Sequence, residues 1–230
     1  MNRIPAMFRF AGILLCISQT CFAQAPKPLA SQYVTCVLDS KGQAVASRTV
    51  RTPTFTSAKA RQAYGEVIAS HASGGCKNTS TIYIADRGDK FQQAFQQLPQ
   101  PLPDRTILDG NGIEAIRWSP SGKFLLAEIS QWKWGSDAEW EIKYFLITAD
   151  QQYPKELSVE EAVEKLFPQE CLRKVQSKGW IDDQRILIKV VPSTRFNDEN
   201  GEPIKTPSCV KQPTPFSFDI GTGILHPIMK

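Results

Sequence analysis

The chain has 230 residues, with 27 Lys and Arg against 23 Asp and Glu, six cysteines and two histidines. That length suits one domain with a sizeable core, or at most two small ones. The basic excess is too small, and too little interleaved with aromatic residues, to predict nucleic-acid binding.

The first 23 residues, MNRIPAMFRFAGILLCISQTCFA, place Arg3 and Arg9 ahead of an apolar run from Phe10 to Ile17 and end on small Ala23. This is the order of a secretory signal peptide cleaved after Ala23. The run is shorter than the roughly 20 residues that span a bilayer, and no comparable run follows. The mature chain is therefore expected to be exported, periplasmic or secreted, without a transmembrane segment. Ser18, Gln19 and Thr20 precede Cys21 where a lipid anchor requires small residues, so no anchor is expected. Removing the leader leaves 230 − 23 = 207 residues, a charge balance of 25 − 23 = +2, and Cys36, Cys76, Cys171 and Cys209. Four cysteines in an exported chain predict two disulfides, with three connectivities open. No Cys-x-x-Cys spacing occurs, so neither a metal nor a cofactor is expected.

Residues 24–30 read as a flexible N-terminus, followed by one β-rich domain over 31–230. A hairpin is predicted over 33–50, with its turn at Asp39 to Gly42. Over 56–71, Ala60, Ala63, Tyr64, Val67 and Ile68 recur at helical spacing behind Thr56 or Ser57 as a cap, which predicts a short helix. A sequon, Asn78-Thr79-Ser80, falls just after it and would take a glycan only in a host that glycosylates exported proteins. Residues 81–97 alternate up to Asp86, turn, and resume. Phe91, Ala94, Phe95 and Leu98 also fit one helical face, but the repeat described below makes this stretch a strand. A second hairpin spans 112–129 around Ser119 to Gly122, and 142–157 is again strand, turn at Asp150, strand. A second short helix is expected over 158–167, where Ser158 and Glu161 form a capping box ahead of Pro168. A third hairpin spans 179–191, turning at Asp182 to Gln184, and 215–228 turns at Asp219.

The chain thus contains three similar stretches, about 33–97, 112–157 and 179–228, of about four strands each. The turn WSPSGKFLL, Trp118 to Leu126, resembles the TolB-like and WD40-like β-propeller repeats, whose hairpins carry an aromatic followed by Ser-Pro-Asp-Gly-Lys. Ser121 stands where that family usually has Asp. Pro120 presets φ for the first turn position, and Gly122 accepts the positive φ that closes the hairpin. The resemblance implies propeller-like antiparallel units that serve as binding scaffolds for protein or envelope partners, and implies no activity. A closed propeller takes about four or more blades, so the expected fold is mainly β: three propeller-like units in an open stack or twisted sandwich, with two short inserted helices. Open strand edges predict a homodimer paired through one of them. Equivalent positions in the units favour Cys36 with Cys76 and Cys171 with Cys209. Each bridge closes a loop of roughly 40 residues, which stabilises by ~3 to 4 kcal/mol.

The stretch SQWKWGSDAEWEIKY, residues 130–144, raises the sharpest functional question. With a loop at Gly135 to Ala138 and Trp134 facing Glu139, one face carries Leu125, Ala127 and Ile129 beside Trp140, Ile142, Tyr144 and Leu146. The other carries Glu128, Ser130, Trp132 and Trp134 against Glu139, Glu141 and Lys143. Two readings stand side by side. The indoles brace the hairpin or lie under another segment, or Trp132, Trp134, Glu139 and Glu141 form a ligand surface for sugar rings, cationic groups or a protein partner.

No catalytic residue is predicted. Two of Glu128, Glu139 and Glu141 could act as a glycosidase pair, but an open sheet leaves carboxylates too solvated to hold the acid protonated. Asp182 and Asp183 are turn residues, residues 197–203 lack the glutamate that closes a calcium loop, and adjacent Ser70 and His71 come without a nucleophile elbow. The sequence is read as an exported, non-enzymatic binding or scaffold module with an envelope protein or glycan as partner. The alternative is a carbohydrate-binding or carbohydrate-active protein using Trp132 and Trp134.

Overall fold

The computed structural model describes residues 34–72, 75–99, 109–133, 141–148, 154–168, 171–192 and 209–228. The leader at 1–23, the segment 24–30, Trp134, Glu139, Trp140, Asp150 and the acidic stretch 197–203 lie outside the described residues.

The architecture is mainly β, in antiparallel sheets of which none is closed. A short ribbon joins β1 (Val37–Leu38) to β2 (Ala44–Ala46) through a turn in which Asp39 accepts from the backbone of Lys41 and Gln43. The first sheet contains β3 (Arg48–Arg51), β4 (Phe55–Thr56), β5 (Gln62–Ala72), β6 (Gly75–Ala85) and β7 (Gln92–Gln97), in the order β3-β5-β6-β7 with β4 also on β5. The second contains β8 (Asp109–Trp118), β9 (Phe124–Lys133), β10 (Glu141–Thr148) and β11 (Lys155–Leu157), each paired with the next. After helix α1 (Val159–Glu164), the third sheet runs β12 (Arg173–Trp180), β13 (Arg185–Pro192), β14 (Thr214–Asp219) and β15 (Leu225–Pro227), again in sequence order. Among the described residues, no helix is long and apolar enough to cross a membrane.

One of the two expected helices is a strand. Residues 62–72 form β5, in which Ala63, Val67 and Ala69 are buried toward the second sheet while Tyr64 alternates to the other face and pairs with Tyr83. The apolar residues fit a period of 3.6 only because those of the two strand faces were counted together. Ser57 does bond neighbouring backbone, as a cap would, but it accepts from Lys59 and Arg61 across a tight turn in which Ala60 has φ 60°. Such side-chain bonds serve turns as well as helices. The other helix is present but shorter, Val159–Glu164, and Ser158 makes no side-chain cap bond. Val159, Ala162 and Val163 hold it against the third sheet.

The second sheet is covered on both faces. Leu125, Ala127, Ile129, Phe145 and Ile147 share a core with the first sheet, including Ala63, Val67, Ile82 and Phe95. Leu126, Tyr144 and Leu146 share another with the third sheet, including Val175, Ile186, Ile188, Phe216 and Phe218. This double burial corrects the expected hairpin register. Glu141 pairs with Gln131 and Tyr144 with Glu128, so Tyr144 lies on the face of Leu126 and Glu128, opposite to Leu125. The expected pairing assumed one buried and one polar face. A sheet buried on both sides places apolar residues on each, and a shift of one residue exchanges the faces.

Each core has a disulfide beside it. Cys36 is bonded to Cys76 (Cα–Cα 5.8 Å), tying the chain before β1 to β6. Cys171 is bonded to Cys209 (Cα–Cα 5.3 Å), tying the entry to β12 to the segment before β14.

Candidate functional site

Among the described residues, a cluster of charged and polar groups lies at the seam where β8 and β9 of the second sheet meet β12 of the third. Glu128, only 5% exposed, points from β9 into this seam. Its carboxylate pairs with Arg117 on β8, and the Ser177 hydroxyl on β12 lies near enough to favour its charged form. Burial is the largest influence on Glu128 and pushes its pKa up; Arg117 and Ser177 oppose this, and nearby Glu114 adds to it. Glu114 occupies the bulge between Ile113 and Ala115, and burial raises its pKa against the pull of Ser130 and Lys174. Tyr144, directly opposite Glu128, is raised well above its ordinary value by burial and then by the Glu128 charge.

Backbone features fix Arg117 in place. Gly179 has φ +99°, and a Cβ there would come within 3.3 Å of Arg117 Cδ. The Trp180 indole donates to the Arg117 carbonyl at 2.9 Å and stacks on Phe124. At the end of the seam, the Ser121 backbone N–H donates to Asp183 at 2.9 Å, joining the β8–β9 turn to the β12–β13 turn. Asp182 accepts from Gln184 and Arg185 within its own turn. The two aspartates are thus engaged in turn chemistry, and that engagement lowers both pKa values.

The structure corrects one step of the reasoning about catalysis. Glu128 is desolvated, because the sheet is not open on that face. It is nevertheless held by a guanidinium and a hydroxyl, which commits its charge to the seam. Its prospective partner Glu139 lies outside the described residues, and Glu141 is placed by its backbone opposite Gln131.

Trp132 is 4% exposed, and its indole lies over the backbone of Gly110 and Gly112. A Cβ on Gly110 would overlap the ring outright. This half of the anticipated ligand surface is packing, with glycines on the neighbouring strand making room for an aromatic. A second aromatic group, on the outer face of the first sheet, is also self-contained. Tyr64 stacks on Tyr83 at 4.9 Å, Phe91 meets Tyr64 edge-on at 4.9 Å, and Arg51, paired with Glu66, lies 5.4 Å from the Tyr64 centroid. The sequon asparagine is fully buried: the Asn78 amide donates to the Val34 carbonyl. No glycan can be attached there once the chain has folded.

Sequence reasoning passed over Arg117, Glu114, Tyr144 and Ser177 as site residues. A signal was present: Glu128 interrupts the apolar run FLLAEI, and a lone carboxylate in such a strand needs a partner. The spacing Gly110-x-Gly112 was likewise a sign of an aromatic lying across a strand. Among the described residues, no group of His, Cys, Asp and Glu could hold a metal ion.

The chain matches no family model, no curated protein and no solved structure.

Proposed function

We propose that this chain is an exported, non-enzymatic binding or scaffold module of three propeller-like units, working in the cell envelope or outside it through its exposed sheet faces. The observation that carries the reading is the seam itself. Its buried carboxylate is committed within the protein: Glu128 pairs with Arg117 on the neighbouring strand of the second sheet, and Ser177 of the third sheet lies against it. A catalytic carboxylate needs access to substrate, and Glu128 faces protein on every side described. The order of strands supports the finer architectural reading, since each of the second and third sheets is a four-stranded meander stacked face to face. Two disulfides suit an oxidising compartment. An envelope protein or a glycan is the class of partner. The carbohydrate alternative loses support because Trp132 is buried.

Cell fractionation tests the reading. The mature chain should be recovered from the periplasm or medium, beginning at Gln24 and with no free thiol. Recovery of a cytoplasmic chain that retains its leader and four free thiols after Gln24 would overturn it.

A further inference from the structure

The outward face of the third sheet gathers lysines that, among the described residues, form no ion pair. Register pairs Lys174 with Val191 and Gln176 with Lys189, opposite in direction to Val175, Ser177, Ile188 and Val190, which face the core. The bulge between Ser177 and Gly179 inserts Lys178, whose ammonium donates to Gln176 Oε1 at 2.7 Å. Neighbouring strands lie about 4.8 Å apart and alternate residues about 6.7 Å apart, so the ammonium groups of Lys174, Lys178 and Lys189 rise from adjoining positions. Among the described residues, none of the three forms an ion pair. Among the described carboxylates, Glu114 feels Lys174, and Lys178 feels Glu128, which is already held by Arg117.

We propose that Lys174, Lys178 and Lys189, with Gln176 between them, form a binding site for a multivalent, phosphate-bearing anion. The proposal rests on the reading of the chain as a binding module and names a ligand class for it. Ammonium groups are point charges with rotatable donors and accept phosphate oxygens without a fixed fork geometry. A compact anion with several charges relieves the mutual repulsion of the three lysines at once. That repulsion is felt at Lys178, whose pKa is lowered by burial and then by Lys189, Arg117 and Lys174, with Glu128 opposing. Strand β12 is at the edge of its sheet, and Lys174 and Lys178 on it are exposed.

The test is calorimetric titration of the oxidised mature protein with sodium tripolyphosphate. The variant Lys174→Gln/Lys178→Gln/Lys189→Gln is compared with Lys41→Gln/Lys59→Gln/Lys90→Gln, which removes the same charge from exposed positions elsewhere. Losing three lysine contacts to the anion should weaken binding by roughly tenfold or more, while the second variant should bind like the parent. Melting curves establish that both variants are folded. No binding by the parent, or equal weakening in the two variants, overturns the proposal. Co-sedimentation with phosphatidylglycerol vesicles then separates the sources: lysine-dependent retention identifies a lipid headgroup, and tripolyphosphate binding without retention identifies a soluble anion. Failure of the site would leave the result of fractionation, and the scaffold reading with it, untouched.

Discussion

Against the first sheet the second sheet closes with neutral hydrogen bonds, and against the third it closes around charge. On the first side the Ser80 hydroxyl donates to Asn111 Oδ1 at 2.6 Å, the Asn111 amide donates to the Asn78 carbonyl at 2.9 Å, and the Asn78 amide reaches Val34. On the other side Arg117 and Glu128 form an ion pair among Ser177, Glu114 and Tyr144. Both sets are buried, and both interrupt an apolar core with groups that require partners. They differ in what remains when one partner is lost. An orphaned amide or hydroxyl is an unsatisfied dipole, whereas an orphaned guanidinium or carboxylate is an unsatisfied charge in a medium that solvates it poorly.

Single substitutions should expose that difference. Arg117→Met strands Glu128 and should cost about 3–5 kcal/mol, read as a fall in the denaturant midpoint at unchanged slope. The double variant Arg117→Met/Glu128→Leu should recover most of the loss, because a buried ion pair and a well-packed apolar pair are often of similar stability. If the double variant is as unstable as the single, the pair contributes more than mutual neutralisation, and the two interfaces differ by more than the cost of one stranded charge. Asn111→Ala, on the neutral side, removes an acceptor from Ser80 and a donor from Asn78 and should cost about 1–3 kcal/mol. A loss as large as that of Arg117→Met would erase the distinction.

The same contrast explains which parts of the molecule could be read from the sequence. Turns were legible because their chemistry is local: Asp39, Ser119, Gly122 and Asp182 act on backbone within a few residues. The strands of the second and third sheets were legible from alternation, and the two cysteine pairs favoured by the sequence are the two disulfides found. The register of β9 on β10 was not legible, because Leu125 and Leu126 are both buried and alternation ceases to say which face is inward. Helical spacing misled at Tyr64, Val67 and Ile68 for a related reason: Tyr64 is occupied on its outer face by Tyr83, Phe91 and Arg51, so both faces of β5 carry bulky residues. Glu128 could be seen as anomalous, but its partners Arg117 and Ser177 are brought to it by strand pairing and sheet stacking, which no local pattern encodes.

The smallest expected effect lies in pH dependence. Glu128 and Glu114 have folded pKa values raised above the ordinary 4.5, chiefly by burial. The protonated form is therefore favoured by folding, and the associated stability is fully present below about pH 4.5 and lost as pH rises through the raised folded values. Among the described residues, the groups that interact with Glu128 are Arg117, Ser177, Glu114, Tyr144 and Lys178, and those that interact with Glu114 are Ser130, Lys174 and Glu128. Asp182, Asp183 and Asp219 act in the opposite sense: their lowered values give stability above the ordinary 3.8 that is lost as pH falls, but they are exposed and solvent screens them. Stability measured by denaturant from pH 4.5 upward should thus decline in the parent and decline less in Glu128→Gln, with Glu114→Gln/Glu128→Gln flattest of all. Asn111→Ala carries no titrating group and should shift the whole curve down without changing its slope. If Asn111→Ala changes the slope as much as Glu128→Gln does, the two interfaces titrate together, and the division into a neutral side and a charged side fails.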